Sequence, residues 1–287
     1  MPKNPAPWQK LARVNAHPRD ARIEFDEPTH RYTIDGVCEG WTSCTTLIHQ
    51  MFPHFDADTV IEKMMTSPKW PQNKMYGKTA EEIKKEWSDN GARASSLGSL
   101  LHLQCEMTYN EAYEEMDKEL MKTTQWEYFM NFFKKHDKDY KMFRTEFEVF
   151  SEPHKLAGSI DAVFKKSDGT YAIYDWKFCN KMVMENRWEK GYGPCAHLDH
   201  TNYWHYSIQL NIYRWFLQTY YDMKITELAL VLISPSNDNY KKYWVNDLSD
   251  VVEEMLECRL QAVQKGLKDP VDFSGYPENI RSPQKHH

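Results

Sequence analysis

The chain has 287 residues, among them 10 Trp, 17 Tyr and 13 Phe, enough apolar mass for a sizeable core and too much for an intrinsically disordered protein. Charged residues make up 27% and no run approaches the roughly 20 apolar residues of a membrane-spanning helix, so the chain reads as a soluble globular protein with no membrane partner. A net charge of -6 excludes a basic coat over the whole surface but not a local basic groove, and six scattered cysteines without a CxxC pair fit neither a disulfide scaffold nor a four-thiolate metal site.

In chain order, residues 1–22 carry Lys3, Lys10, Arg13, Arg19 and Arg22 against Asp20 and read as a basic flexible arm. A mitochondrial presequence would be similarly basic, but Pro2, Pro5, Pro7 and Pro18 interrupt any amphipathic helix and serine is absent. With no signal peptide and no disulfide pattern, the expected location is intracellular, in cytoplasm or nucleus. Between Ile23 and Ile48 the pattern alternates and turns, with Asp35-Gly36 suggesting a hairpin before a helix starts near Ser43. Residues 55–110 read as a helical cover: a short helix to Met65, a loop over 69–78, a helix opened by Thr79, then a further helical stretch after Asn90-Gly91.

A helix over 122–139 carries Trp126, Phe129, Phe132 and Phe133 at three- and four-residue spacing, a core stripe. The period then changes to strands at 143–150, 156–164 and 171–178, the last two joined by a turn at Ser167-Asp168-Gly169. A helix over 207–220, strands near 228–234 and 240–245, and a final helix opened by an Asp250/Glu253 capping box complete the pattern. The division is a single α/β domain over 23–271, a mixed sheet flanked by helices with a helical N-terminal elaboration, and a flexible tail over 272–287.

Chemistry concentrates on the strands. Asp175 and Lys177 share a face with Ile173 at the end of an apolar strand, and Asp161 is a lone charge in the preceding one. Buried charges of this kind are tolerated when they neutralise each other or meet a metal ion, so a structural ion pair explains the strands alone equally well. Two carboxylates from adjacent strands also suit Mg²⁺, which takes oxygen ligands and leaves positions for water and phosphate. His102 and Glu106 lie one turn apart on a helix, and Gln209 and Tyr213 occupy i and i+4 on another.

Taken in order, Gly98 with His102, Glu146, Gly158 with Asp161, Asp175 with Lys177, and Gln209 with Tyr213 resemble the motifs of the PD-(D/E)XK nuclease superfamily, RecB-type exonuclease branch. The resemblance implies a restriction-endonuclease-like central mixed sheet and Mg²⁺- or Mn²⁺-dependent phosphodiester hydrolysis. Asp161, Asp175, His102 and the backbone carbonyl of Trp176 would be metal ligands. Lys177 would orient or activate the attacking water and offset charge on the phosphate. Glu146 would hold a water or a second metal, with Glu148 its competitor, and Gln209 and Tyr213 would steady the substrate or the lysine. Phe178 departs from the small hydroxyl residue that many relatives carry after the lysine, and the iron–sulfur cysteines of some relatives are absent.

The segment 186–206 contains Arg187, Tyr203 and Trp204, suited to holding the phosphates and bases of a single strand. Packing of an aromatic-rich loop is the plain alternative, and Cys195, His197, His200 and His205 offer a zinc site as a third reading. The functional expectation is a DNA exonuclease acting on single strands or ends in repair, recombination or replication, with a protein partner in that process conceivable. The alternatives are an RNA or DNA endonuclease of the same fold and a catalytically silent nucleic-acid-binding scaffold.

Overall fold

The computed structural model describes residues 5–136, 138–267, 271 and 273. Residues 10–22 depart from the flexible arm expected of them. They form a short helix α1 (Lys10–Val14) and a 3-10 turn (Pro18–Arg22) that run along the free edge of a long strand. Asn15 Nδ2 donates to the Phe143 carbonyl at 2.7 Å, Arg19 to the Phe150 carbonyl at 2.8 Å, and Arg144, 5% exposed, pairs with Asp20 at 2.8 Å. An uncovered sheet edge is a row of unpaired backbone groups, and the segment supplies their partners. Charge read along the sequence misses this because the partners lie more than 120 residues away.

The strands β1 (Ile23–Asp26) and β2 (Arg31–Ile34) form an antiparallel pair turned by residues 27–30, and Asp35-Gly36 make the expected tight turn at the end of β2, across which Ile34 and Val37 exchange both backbone hydrogen bonds at 2.9 Å. After β3 (Thr42–Ser43), helix α2 (Cys44–Gln50) packs into the core. The chain then leaves it for α3 (Ala57–Met65) and returns along α4 (Ala80–Tyr109). α4 is one 30-residue helix, about 45 Å long at 1.5 Å per residue. Thr79 and Glu82 form its capping box. Asn90-Gly91 does not end it, because a helical glycine costs only about 1 kcal/mol. Residues 88–96 are exposed, so α3 and the first turns of α4 form a satellite around Ile61, Met75 and Ile83, joined to the body by bare helix.

α5 (Thr124–Lys135) buries Trp126, Phe129 and Phe132, as their spacing predicts. β4 (Tyr140–Ser151), β5 (Leu156–Lys166) and β6 (Tyr171–Lys177) form an antiparallel meander. α6 (Asn202–Tyr220) then crosses over so that β7 (Ile225–Leu232) pairs parallel to β6, β8 (Lys241–Trp244) adds an antiparallel edge, and β3 pairs parallel to the start of β5. The result is the α/β architecture expected, a mixed six-stranded sheet with helices on both faces. Ile173, Leu228 and Leu230 pack against α2, α6 and α7 (Ser249–Gln264), whereas Ala172, Tyr174 and Trp176 pack against α5 and the end of α4.

α6 begins five residues before the expected Ser207, capped by the Thr201 side chain. α7 opens without a side-chain cap, so the Asp250/Glu253 box does not form. Phe273 is buried in the α6 side of the core, past the expected domain end at 271, and the rest of the tail lies outside the described residues.

Candidate metal centre and its cleft

The centre lies where β4 and β5 both deviate. Thr145 pairs with Ala162 and Phe147 with Ile160, which sets Glu146 opposite Asp161. Glu146 has a φ of +41°, the left-handed region that a β-strand residue other than glycine rarely enters and that marks functional sites. Across from it the apolar alternation of β5 slips by one residue: Ile160 and Val163 pack on the α6 side, Ala162 and Phe164 on the α5 side. Both carboxylates thereby reach one cleft, of about 910 Å³, whose far wall is α4 with Gly98 and His102.

One ligand atom each from His102, Glu146 and Asp161 lie within 4.8 Å of one another. His102 Nδ1 is 3.4 Å from Asp161 Oδ2 and 3.9 Å from Glu146 Oε1. Asp161 is held by the Trp176 N–H at 2.8 Å and Glu146 by the Ser159 hydroxyl at 2.9 Å. A hydrogen bond also links His102 to the Trp176 backbone, which keeps that peptide beside the trio. Asp175, 2% exposed, is turned instead toward Lys177, whose Nζ lies 2.5 Å from its Oδ2, and it stands outside the trio. Glu146 and Glu148 line the cleft, and Asp175 does not.

Burial dominates the electrostatics. It pushes the Asp161 and Asp175 carboxyls up to about 6, with Lys177 pulling both back, and it raises Glu146 well above the ordinary carboxylate range, helped by the neighbouring Asp161 charge. Burial and the Lys177 charge bring His102 down to about 4, so its ring is neutral and free to ligate near pH 7. The ammonium of Lys177 is stabilised by Asp175 and Asp161 against the opposing effect of burial. Three carboxylates facing one ammonium leave a negative excess that a divalent cation would neutralise, and carboxylate oxygens with one imidazole suit Mg²⁺ or Mn²⁺. The residues therefore fit such an ion, with His102, Glu146, Asp161 and the Trp176 carbonyl as its holders.

Gln209 and Tyr213 stand behind Lys177. Gln209 Oε1 accepts from Lys177 Nζ at 3.5 Å, and its Nε2 donates to Tyr213 OH at 3.2 Å and to Thr45 Oγ1 at 3.4 Å. Gly158 is required by this packing, since a Cβ there would lie 2.6 Å from Tyr213 Cε1. Gly98 has open space at the same point.

Within the aromatic segment Trp188 is 92% exposed but does not line the cleft, and the residues expected to hold a strand are placed elsewhere. Tyr203 is 3% exposed with its hydroxyl donating to the Trp244 carbonyl at 3.1 Å, Trp204 packs on the core, and Arg187 is exposed outside the cleft. The segment does not form a zinc site: Cys195 is buried against Met255 Sδ at 3.6 Å, and His200 and His205 stack with centroids 5.1 Å apart. Among the described residues the metal-ligating side chains converge only at His102, Glu146 and Asp161.

Four participants were not read from the sequence. Tyr206 places its ring face 4.1 Å from Lys177 Nζ, and it stands one turn before Gln209, a spacing that could have flagged it. Ser159 is two residues before Asp161, within the same motif. Trp8 and Gln9 line the cleft from the N-terminal segment, with no local signal to announce them.

No family model matches the chain. No curated protein matches it either. Among solved structures, the crystal structure of SSO0001 aligns over 81% of this chain and 79% of its own, at 15% identity and a TM-score of 0.36. The fold assignment rests on the strand order and helix placement of this chain. Among the described residues no helix is long and apolar enough to cross a membrane, and all six cysteines are free.

Proposed function

We propose that the protein is a metal-dependent nuclease, a DNA exonuclease acting on single strands or ends. The observation that carries this reading is the convergence of His102, Glu146 and Asp161 from three separate elements in a cleft that also holds Lys177. The resemblance of the ordered motifs to the RecB-type branch of the PD-(D/E)XK superfamily supports it. A bound Mg²⁺ or Mn²⁺ would supply charge neutralisation and Lewis acidity at a phosphoryl oxygen.

The chain's own residues do the rest. The Trp176 N–H and the Ser159 hydroxyl fix the directions of Asp161 and Glu146, so that the carboxylates need not reorganise when substrate arrives. Asp175 holds Lys177 at 2.5 Å, Gln209 steadies it and the Tyr206 face covers it. A fixed ammonium at the cleft wall offsets charge on the phosphate and orients the attacking water.

The test is incubation of end-labelled single-stranded DNA, double-stranded DNA and RNA in Mg²⁺, Mn²⁺ or EDTA, beside the Lys177→Ala protein. Degradation that EDTA blocks and Lys177→Ala lacks is the expected result, with mononucleotides released from one end of DNA. Internal fragments or a preference for RNA would replace exonuclease by endonuclease, and no cleavage of any substrate would overturn the reading.

A further inference from the structure

We infer that Trp8 is the base-stacking wall of the cleft, an inference that rests on the nuclease reading. Six aromatic rings line this cleft, those of Trp8, Phe25, His102, Trp176, Phe178 and Tyr206. Five are already engaged. Phe25 lies 4.6 Å from Tyr32, Phe178 meets the His102 ring edge-on at 5.3 Å, Tyr206 covers Lys177, and Trp176 is 2% exposed between Tyr109 and Phe132. Trp8 pairs with no ring or cation among the described residues, and it is half-buried, packed against the α5 side of the core.

The segment that presents Trp8 is pinned to the end of α4 by the three residues that follow it. Gln9 Nε2 donates to Glu106 Oε1 at 3.0 Å, Lys10 pairs with Glu111 at 2.6 Å, and the Leu11 N–H donates to Asn110 Oδ1 at 2.9 Å. Glu106 is one turn beyond His102, about 6 Å along α4, and Trp8 lines the same cleft as the metal trio. A phosphate held by the trio and Lys177 would then carry its base, or the next one, onto a rigid indole face. Stacking of this kind tolerates any base. An unpaired strand offers the exposed base face it needs, whereas a duplex keeps its bases stacked on each other.

The experiment is anisotropy of labelled 12-nucleotide single strands in Ca²⁺, a cation that oxygen ligands also hold, with a denaturing gel to confirm that the strands stay intact, using the full-length protein and its Trp8→Leu and Trp8→Phe variants. The strands are intact or carry one abasic nucleotide at successive positions from an end. Trp8→Leu should weaken binding of the intact strand by roughly five- to a hundredfold, Trp8→Phe should retain most of the affinity, and the Trp8→Leu effect should vanish for one abasic position. Equal weakening at every abasic position would show a structural role and overturn the inference, as would unchanged binding by Trp8→Leu. Thermal melting of both variants identifies any loss that comes from unfolding, in which case the Trp8→Phe comparison decides. Stacking without cleavage in Mg²⁺ would sink the nuclease reading alone, and cleavage indifferent to Trp8 would sink this inference alone.

Discussion

At the scale of single residues, the centre combines strain with charge. Glu146 holds a left-handed φ of +41° in a strand, and Glu148, two residues on, does not. Left-handed backbone costs a residue with a Cβ about 1 kcal/mol or more, whereas glycine in an ordinary strand position costs about 0.5–1 kcal/mol. Glu146→Gly should therefore leave the melting temperature unchanged or raise it while abolishing turnover, and Glu148→Gly should lower it. Melts and initial rates of the two variants check this; equal destabilisation would mean that the Glu146 backbone is not strained. Lys177→Ala should lower kcat by roughly 10²- to 10⁴-fold. It also leaves Asp175 buried without its cation, so the variant should lose more stability at pH 8, where Asp175 must ionise, than at pH 5, where it can keep a proton.

At the scale of elements, the two motif glycines separate packing from access. Gly158→Ala would drive a methyl into the Tyr213 ring, and through it disturb Gln209 and Lys177. It should cost about 1–3 kcal/mol of stability, as overpacking does, and lower turnover. Gly98→Ala, half-buried on the cleft wall with nothing near the new Cβ, should stabilise α4 by up to about 1 kcal/mol, and any loss of rate would report crowding of a ligand in the cleft. Unfolding curves in urea distinguish the pair. Strands β4 to β6 and the stripe on α5 were legible because their periods of two and 3.6 are local properties. The order His102, Glu146, Asp161, Lys177, Gln209 was legible as a motif series. Its geometry was not: strand alternation alone sets neither the kink at Glu146 nor the turn of Asp175 toward Lys177. Tyr203 and Trp204 looked like a nucleic-acid platform because composition does not say which face of α6 meets the core.

At the scale of the molecule, the N-terminal segment shows where sequence reading ends, since a basic run became a docked wall through contacts far away in sequence. The electrostatics of the centre give a whole-protein consequence with a definite sign. Asp161 and Asp175 titrate near 6 when folded, against an ordinary 3.8 for an aspartate, and Glu146 is raised as well. Between about pH 4 and 6 the folded chain thus keeps protons at these groups that the unfolded chain has released. Their contribution to stability is present at low pH and lost as pH rises through 6. His102, brought down to about 4, runs the other way as one group against three. A divalent cation competes with the retained protons, so its stabilising effect must grow as pH rises. Melting curves in EDTA and in Mn²⁺ at pH 5.0 and 7.5 should show a small metal-induced shift at the lower pH and a larger one at the higher. At a metal concentration 100 times its dissociation constant the gain approaches about 2.7 kcal/mol. Comparing metal with EDTA at each pH cancels the titration of histidines elsewhere in the chain, and Asp161→Asn should remove most of the shift at pH 7.5. A shift of equal size at both pH values, or one that survives in Asp161→Asn, would place the cation away from the trio.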